Sequence, residues 1–187
     1  ARFREIRALF PGLAASLANS AGVFLGDAHH FDLVRPGIGV YGGAIVSGEA
    51  SPMRPVVRLE ATILQVREVP AGESVGYGGR QTTKRASRLA IVSVGYADGF
   101  HRAASSADGA PGARGWLKGR FVPLVGRISM DLSAIDVTDV ADAARGDTIE
   151  LIGDHLSVQE VAAHMGTIDY EVLTSLGRRY ERVYRGG

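Results

Sequence analysis

Cysteine is absent from the 187 residues of this chain. Its absence excludes disulfide bonds and cysteine-ligated metal sites, and we expect a cytoplasmic protein, because disulfides belong mainly to oxidising compartments. An excess of either charge is also lacking, since 21 Lys and Arg stand against 20 Asp and Glu. The basic residues are scattered, so neither a nucleic acid nor a membrane is expected as a partner. No apolar run approaches the ~20 residues of a membrane-spanning helix, and the five histidines lack metal-ligand spacing.

Helix-like and strand-like segments alternate in the first 41 residues. Apolar residues at helical spacing predict a helix over residues 2–10. Short apolar segments, expected to be buried strands, precede Ser20 and Arg35, and Ser20 is a favourable cap for a short helix. This order is typical of α/β sheets and barrels with parallel strands. Because helix-like sequence follows Ala1 at once, we expect the chain to be a piece of a longer protein.

Gly, Ser and Pro are concentrated in residues 42–55, which predicts a linker and a division into residues 1–50 and 51–187. Beyond the linker, many short strands at close spacing favour a β-barrel or sandwich. The predicted strands are residues 57–69, 88–96, a hairpin over 116–127 turning at Lys118-Gly119, 128–138 and 147–152.

Two helices are predicted at the end of the chain. The first begins with a capping box of Ser157 and Glu160, has an apolar face, and ends at Gly166. The second covers residues 167–176. The second half of the chain is therefore expected to be a β-domain that finishes in helices.

Two loops in the first half follow strands and carry residues suited to an anion. One contains Ser20 and the other contains Arg35, Gly37 and Ile38. The N–H groups and dipole of a helix N-terminus attract phosphate, and in (β/α) barrels the loops after the last strands often hold it. A structural interpretation stays open, in which Ser20 only caps a helix, Gly37 only serves a turn and Arg35 is a surface charge.

Tyr77 and Tyr96 each lie among glycines in residues 75–99. Glycine in or beside a strand is costly unless the backbone must take a positive φ or approach a neighbour closely. These glycines make sense if a phenol is to be presented at a fixed place. Such a phenol, with a reference pKa of ~10, can serve as a general acid or base where its surroundings favour the phenolate. The alternative is a ring packed in a strand with its hydroxyl satisfied.

Met130, Asp131 and Tyr170 have plain structural interpretations. Met130 lies in an apolar segment, so it fits a core methionine followed by a turn aspartate. Tyr170 is one turn into the last predicted helix, where a core or interface position is common. Pattern alone does not decide between these interpretations and a functional one.

Six motifs in one order carry a more specific signal. They are ANS (18–20), VRPGI (34–38) with YG (41–42), GYG (76–78), VGYADG (94–99), GRISMD (126–131) and TIDYE (167–171). In this order and spacing the chain resembles the alanine racemases, fold-type III enzymes that use pyridoxal 5'-phosphate, over nearly its whole length. The resemblance implies the end of a (β/α)₈ barrel followed by an all-β, barrel-like C-terminal domain.

The resemblance implies a cofactor site in which Ser20, the amides of Gly37 and Ile38, and Tyr170 hold the phosphate. Arg35 would hydrogen-bond the pyridine nitrogen. An arginine does not give up its proton, so it would leave that nitrogen unprotonated and weaken the ring as an electron sink. This would favour racemisation over side reactions.

The resemblance also implies roles on the substrate side. Tyr77 would be one of two acid/base groups, reaching the site from a partner subunit, so that a homodimer builds each site. The Met130 N–H would bind the carboxylate of L- or D-alanine. Tyr96 would line the narrow entrance, with Ser129 and Asp131 near it, and the product D-alanine would serve peptidoglycan synthesis.

The family's Schiff-base lysine has no counterpart in this sequence, so we expect this chain by itself to be inactive and the parent protein to be active. Tyr180 and Glu181 also depart from the usual family residues, with no catalytic consequence expected. Two alternatives remain. One is a broad-specificity or serine racemase of the same fold, and the other is a non-catalytic β-barrel dimerisation module.

Overall fold

A computed structural model describes residues 2–46 and 51–186. Its internal contacts divide the chain into two compact units, residues 1–56 and 57–187. The division between residues 50 and 51 stays a prediction, and residues 47–50 of the predicted linker lie outside the described residues.

The first unit alternates helix and strand. Its elements are α1 (Arg2–Ala8), β1 (Ser16–Asn19), α2 (Ser20–Val23) and β2 (Leu33–Arg35), with 3₁₀ turns at Asp27–His29 and Ile38–Tyr41. β1 and β2 pair in parallel, with Ser16 opposite Leu33 and Asn19 opposite Arg35. Parallel neighbours joined through a helical connection are the unit of α/β barrels, so the predicted α/β barrel remnant is confirmed.

Two details of this unit differ from the prediction. Asn19 caps α2 in place of Ser20, and its Oδ1 accepts from Gly22 N at 3.0 Å. Asn and Ser are about equally good caps, so the local sequence did not separate them. β2 is also not a buried strand, since Leu33 is 61% exposed. Parallel strands are buried when other elements cover both faces of their sheet.

Strands dominate the second unit. They are β3 (Leu59–Val69), β4 (Ser74–Val75), β5 (Gln81–Thr82), β6 (Ser87–Val92), β7 (Arg114–Leu117), β8 (Arg120–Val125), β9 (Ser133–Asp136) and β10 (Thr148–Ile152). Six of them close a barrel in the order β10-β3-β6-β9-β8-β7, with antiparallel neighbours throughout. β4 and β5 form a separate two-stranded hairpin. The predicted barrel-like all-β domain is confirmed.

Alternation along the strands builds the barrel core. On β3 the buried positions are Leu59, Ala61 and Ile63, with exposed residues between them, because successive side chains of a strand point to opposite faces. The predicted hairpin turn is also present. Lys118 and Gly119 have φ of 46° and 84°, the pair of positive values typical of two-residue turns that match the twist of antiparallel strands.

The strand predicted over residues 88–96 is too long. β6 ends at Val92, and Tyr96 instead opens a 3₁₀ turn, Tyr96–Asp98. Apolar character continues to Val94, which is buried. The sequence therefore predicted a strand beyond Val92, where the backbone no longer pairs with a neighbouring strand. Tyr96 is therefore presented by a turn.

The chain ends with α3 (Val158–Met165) and α4 (Asp169–Ser175), close to the prediction. Ser157 Oγ accepts from Glu160 N at 3.2 Å, and α3 ends at Gly166, which has φ of 67°. The Glu160 carboxylate accepts from Arg114 Nε at 2.8 Å and so ties α3 to β7. In the part of the chain that the structure describes, no helix combines the length and apolar character needed to cross a membrane.

Candidate active site

Ser20 joins the two loops that were predicted to bind phosphate. Its side chain is buried, and Oγ accepts from the backbone N–H groups of Gly37 at 2.9 Å and Gly39 at 3.1 Å. The Ile38 amide between them begins a 3₁₀ turn, where N–H groups lack partners within the turn. A hydroxyl and three successive amides therefore gather at one place, an arrangement suited to an anion.

Space is available beside this group of amides. A Cβ atom built on Gly37 would meet no described atom within 4 Å. The interpretation of Ser20 as only a helix cap is wrong, because its Oγ accepts hydrogen bonds from the Arg35 loop and so connects the two loops.

Arg35 ends β2 and is held against β1. Its NH1 donates to Ser16 Oγ at 2.5 Å and its NH2 to Leu17 O at 3.4 Å. A guanidinium has five N–H donors in a rigid plane, so these two bonds orient the group and leave other donors for a ligand.

Tyr77 lies at the tip of the β4–β5 hairpin and is 76% exposed. Gly76 and Gly78 on either side have φ of 77° and 75°. The ring is therefore not packed in a strand, and the structural alternative for this tyrosine is wrong. A large exposed aromatic on a short hairpin is unusual for a residue with only a packing role.

Close backbone contact anchors this hairpin to the barrel. A Cβ atom on Gly76 would lie 2.6 Å from Arg127 N, and one on Gly126 would lie 2.7 Å from Val75 O. Both positions also need positive φ, so any other residue would push the hairpin away. The Tyr77 loop is thus placed by the segment that leads to Met130.

Positive charge surrounds the base of the Tyr77 loop. The pKa of Arg127 is lowered, first by burial and then by the nearby charges of Arg80 and Arg102. Its NH1 lies 3.4 Å from the position of a Cβ on Gly78. A positive environment favours the approach of an anionic ligand such as a carboxylate.

Tyr96 and Met130 lie on two loops that touch along their backbones. Tyr96 N donates to Ser129 O at 3.1 Å, and Ala97 N donates to Met130 O at 3.0 Å. A Cβ on Gly95 would lie 2.2 Å from Met130 O, which explains the glycine before Tyr96. Met130 is 54% exposed, so its interpretation as a core methionine is wrong.

Arg179 was missed by sequence reasoning, yet it joins both loops. Its Nε lies 3.2 Å from Asp98 Oδ1 and its NH2 lies 2.7 Å from Asp131 Oδ1. Asp98 is buried and its other oxygen accepts from Gly95 N at 2.9 Å. The pKa of Arg179 is raised, chiefly by its hydrogen bond to Asp131. No local pattern marks an arginine that follows a helix as the partner of two distant turns.

Tyr170 is the second residue of α4 and is 48% exposed, whereas its neighbour Asp169 and Val172 one turn on are buried. It is therefore not a core residue. The end of the same helix packs on the Tyr96 turn, since Gly177 N donates to Asp98 O at 3.0 Å.

The predicted site residues thus form two groups, each within one compact unit. Ser20, Gly37 and Ile38 share the first, with Arg35 at the end of the adjacent strand. The second unit carries the other four, of which Tyr96 and Met130 lie on loops that touch, whereas Tyr77 and Tyr170 lie on a separate hairpin and a helix. Backbone amides suited to an anion and an exposed phenol near arginine side chains are features expected of an enzyme class that binds a phosphorylated group and moves protons.

Comparison with known proteins identifies that class more closely. The family model described as "Alanine racemase, C-terminal domain" matches residues 56–184, and "Alanine racemase, N-terminal domain" matches residues 1–44. The chain therefore belongs to the alanine racemase family. The two matched regions correspond closely to the two compact units of the structure.

Individual relatives agree. The alanine racemase of Rhizobium meliloti is 54% identical over 100% of this chain and 51% of its own length. The biosynthetic alanine racemase of Agrobacterium fabrum is 53% identical over 97% of this chain and 49% of its own length. The chain thus spans about half the length of the curated relatives it matches.

A solved structure is similar over the same span. The alanine racemase of Bartonella henselae, with covalently bound pyridoxal phosphate, superposes with a TM-score of 0.89 at 43% identity. The match covers 98% of this chain and 50% of that one.

Proposed function

We propose that the complete protein carrying this chain interconverts L- and D-alanine with pyridoxal 5'-phosphate, as a cytoplasmic homodimer that supplies D-alanine for peptidoglycan. Family membership supports the reaction. The observation that carries the role of this chain is the presentation of Tyr77, 76% exposed on a hairpin anchored by glycines. An exposed phenol can reach a site on a second copy of the chain, which supports the homodimer.

The residues of the first unit fit the phosphate of the cofactor. The Ser20 hydroxyl and the Ile38 amide offer donors beside open space, and the Gly37 amide, which donates to Ser20 Oγ here, is proposed as a further donor to the phosphate. The family resemblance suggests that Tyr170, a half-exposed residue of the second unit, is a fourth donor to this phosphate. The Bartonella henselae relative binds the same cofactor. When bound, pyridoxal phosphate supplies an electron sink for the pair left at the α-carbon after proton removal.

Arg35 is proposed to donate to the ring nitrogen of the cofactor. Its guanidinium keeps its proton at all physiological pH values. Hydrogen bonds to Ser16 Oγ and Leu17 O hold the guanidinium in place, and its other N–H groups are left for a ligand. The expected consequence is an unprotonated ring nitrogen and fewer side reactions.

The second unit is proposed to handle the substrate. The Tyr77 phenolic oxygen takes or returns the α-proton on one face of the amino acid. The Met130 N–H orients the substrate carboxylate. Tyr96 lines the entrance with Ser129 and Asp131, and Arg179 holds these loops together.

The family's lysine is not among the residues of this chain, so the chain by itself is expected not to racemise alanine. An assay of this chain with added pyridoxal phosphate checks the point. Turnover similar to that of a complete racemase would show that the missing lysine is not needed.

Replacing Tyr77 by Phe tests the proposed function. In the complete enzyme, Tyr77→Phe should lower the rate of racemisation by about 10²–10⁴-fold, the usual worth of a general acid or base. Thermal stability and cofactor absorbance should be unchanged, because the ring is exposed. The measurement is the rate in both directions, starting from L- and from D-alanine.

Tyr184→Phe is the matched control, because Tyr184 is 87% exposed and has no proposed role. It should keep the wild-type rate. Full activity in Tyr77→Phe would contradict the proposed role of Tyr77. A wild-type enzyme that turned over serine or other amino acids faster than alanine would correct the substrate.

A further inference from the structure

The hairpin that presents Tyr77 has little support of its own. β4 and β5 contribute two residue pairs, Ser74 with Thr82 and Val75 with Gln81. A two-stranded hairpin is at best marginally stable in water. The position of the phenol must therefore depend on contacts between the hairpin and the barrel.

Gln81 makes part of the polar contact, and Asp108 makes another part, since its Oδ1 accepts from Thr82 N at 3.3 Å and its N–H donates to Arg80 O at 3.0 Å. Gln81 Oε1 accepts from the Gly126 backbone N–H at 2.7 Å and is also bonded by the Ser106 hydroxyl. Gly126 N lies 2.9 Å from Ser106 Oγ, which in turn bonds Leu124 O at 2.8 Å. Gly126 and Ser106 are buried, so the polar groups of this network are costly to leave without partners.

The network links two places that matter for the reaction. Gln81 faces Val75 across the stem of the Tyr77 loop. Gly126 begins the segment GRISMD that ends in Met130 and Asp131. The amide of Gln81 therefore fixes the hairpin to the same turn that positions the substrate-side loop.

We propose that Gln81 is a positioning residue for Tyr77, holding the hairpin on the Gly126 turn so that the phenol stays aligned with the α-proton. This inference rests on the proposed function. Gln81 does not touch the substrate and acts through the placement of Tyr77. Misplacement of a reacting group by about 1 Å can cost up to 10²-fold in rate.

The geometry indicates which substitutions matter. Gln81 Oε1 accepts from the Gly126 N–H and shares the single Ser106 hydroxyl proton with Leu124 O, so Gln81→Glu keeps an acceptor of the same shape. Gln81→Met keeps the length of the side chain and removes the acceptor. Gln65→Met is the matched control, since Gln65 is exposed on β3, outside the hairpin.

The test uses the complete enzyme with cofactor. In Gln81→Met, kcat should fall about 10-fold or more with KM changed less than about twofold, because the aligned proton transfer is lost and ground-state binding is kept. The primary isotope effect with α-deuterated alanine should rise for one enantiomer only, since Tyr77 serves one face. A loss of correctly folded enzyme would lower both directions equally and leave the isotope effect unchanged.

A second readout does not involve activity. Hydrogen exchange of the segment 74–82 should become at least about fivefold faster in Gln81→Met, with strand β3 unchanged, because local opening follows local contacts. Gln81→Glu should restore both the rate and the slow exchange. Gln65→Met should resemble the wild type in every measurement.

Wild-type isotope effects and wild-type exchange in Gln81→Met would overturn the inference and leave the proposed function intact. Failure of Gln81→Glu to restore the rate and the slow exchange would also overturn it. Absence of alanine racemisation in the wild-type enzyme would instead refute the proposed function, and the hydrogen-exchange comparison would still decide whether Gln81 holds the hairpin.

Discussion

The two compact units treat apolar side chains in different ways. Residues 57–187 close a barrel around buried side chains such as Ile63, Phe100 and Ile149, each at most 1% exposed. Residues 1–56 keep large apolar side chains such as Leu9, Phe10 and Leu33 more than half exposed. The difference follows from how far the strands of each unit enclose their apolar faces.

Closure depends on how many neighbours a strand has. The barrel gives each of its six strands two partners, which removes free edges and encloses one face of every strand. Among the residues that the structure describes, β1 and β2 pair only with each other, and two parallel strands cannot bury both faces. We therefore expect the stability of the chain to reside in residues 57–187, whereas residues 1–56 contribute a ligand-binding loop.

Truncating the same side chain in each unit should give the largest difference. Phe100→Ala should destabilise by about 3–5 kcal/mol, because it leaves a cavity in a closed core. Phe10→Ala should change the free energy of unfolding by less than about 0.5 kcal/mol, since the ring is 55% exposed. Urea unfolding of this chain measures both. Equal losses of unfolding free energy in the two variants would show that the first unit has a core that stabilises it as much.

A smaller effect is expected at Glu150, the buried carboxylate of the barrel. It accepts from His155 N at 2.8 Å and pairs with Arg58 NH2 at 2.9 Å. Glu150→Gln keeps the shape and removes the charge, so we expect a loss of about 1–3 kcal/mol. Chemical unfolding at pH 7 measures the free energy of unfolding. An unchanged value would mean that the charge of Glu150 does not stabilise the barrel.

The pH dependence of this variant sharpens the same test. Burial alone would raise the pKa of the Glu150 carboxyl, but the hydrogen bonds from His155 and the charge of Arg58 outweigh it and lower the pKa below 4.5. A lowered pKa gives stability that is present above the unfolded value and is lost as pH falls through the folded value. The difference in the free energy of unfolding between the wild type and Glu150→Gln should therefore become smaller below about pH 4.5.

The smallest effect is expected for a surface ion pair on the same barrel. The hydrogen bond from Arg85 lowers the pKa of Asp139, and the two groups lie 2.7 Å apart. Both side chains are more than half exposed, so water and salt screen the pair. Asp139→Asn should leave the thermal midpoint unchanged within error at 0.15 M salt. A clearly lower thermal midpoint would show that this surface ion pair contributes to the stability of the barrel.

Elements with strong local signals were predicted well. The hairpin at Lys118-Gly119, the Ser157 cap and the Gly166 stop each depend on a few adjacent residues, and the structure confirms them. Strand ends were predicted less well. β6 ends before Tyr96 because Gly95 must pass within contact distance of Met130, and that neighbour is 35 residues away in the sequence.

The candidate site shows the same limit. Tyr77 and Ser20 could be named from glycine context and family motifs, because these are local. Arg179 and Gln81 could not, because each acts on a partner brought near only by the fold: Asp98 and Asp131 for Arg179, and Gly126 for Gln81.

The sequence by itself determined the family and the order of helices and strands, and it supplied the candidate residues for the chemistry, since motif order and periodicity are properties of the chain. Only the tertiary structure decided which of these side chains are exposed, which backbones touch, and which distant groups hold them. Burial and hydrogen bonding between remote segments arise when strands pair and a barrel closes, and no stretch of neighbouring residues encodes that closure alone.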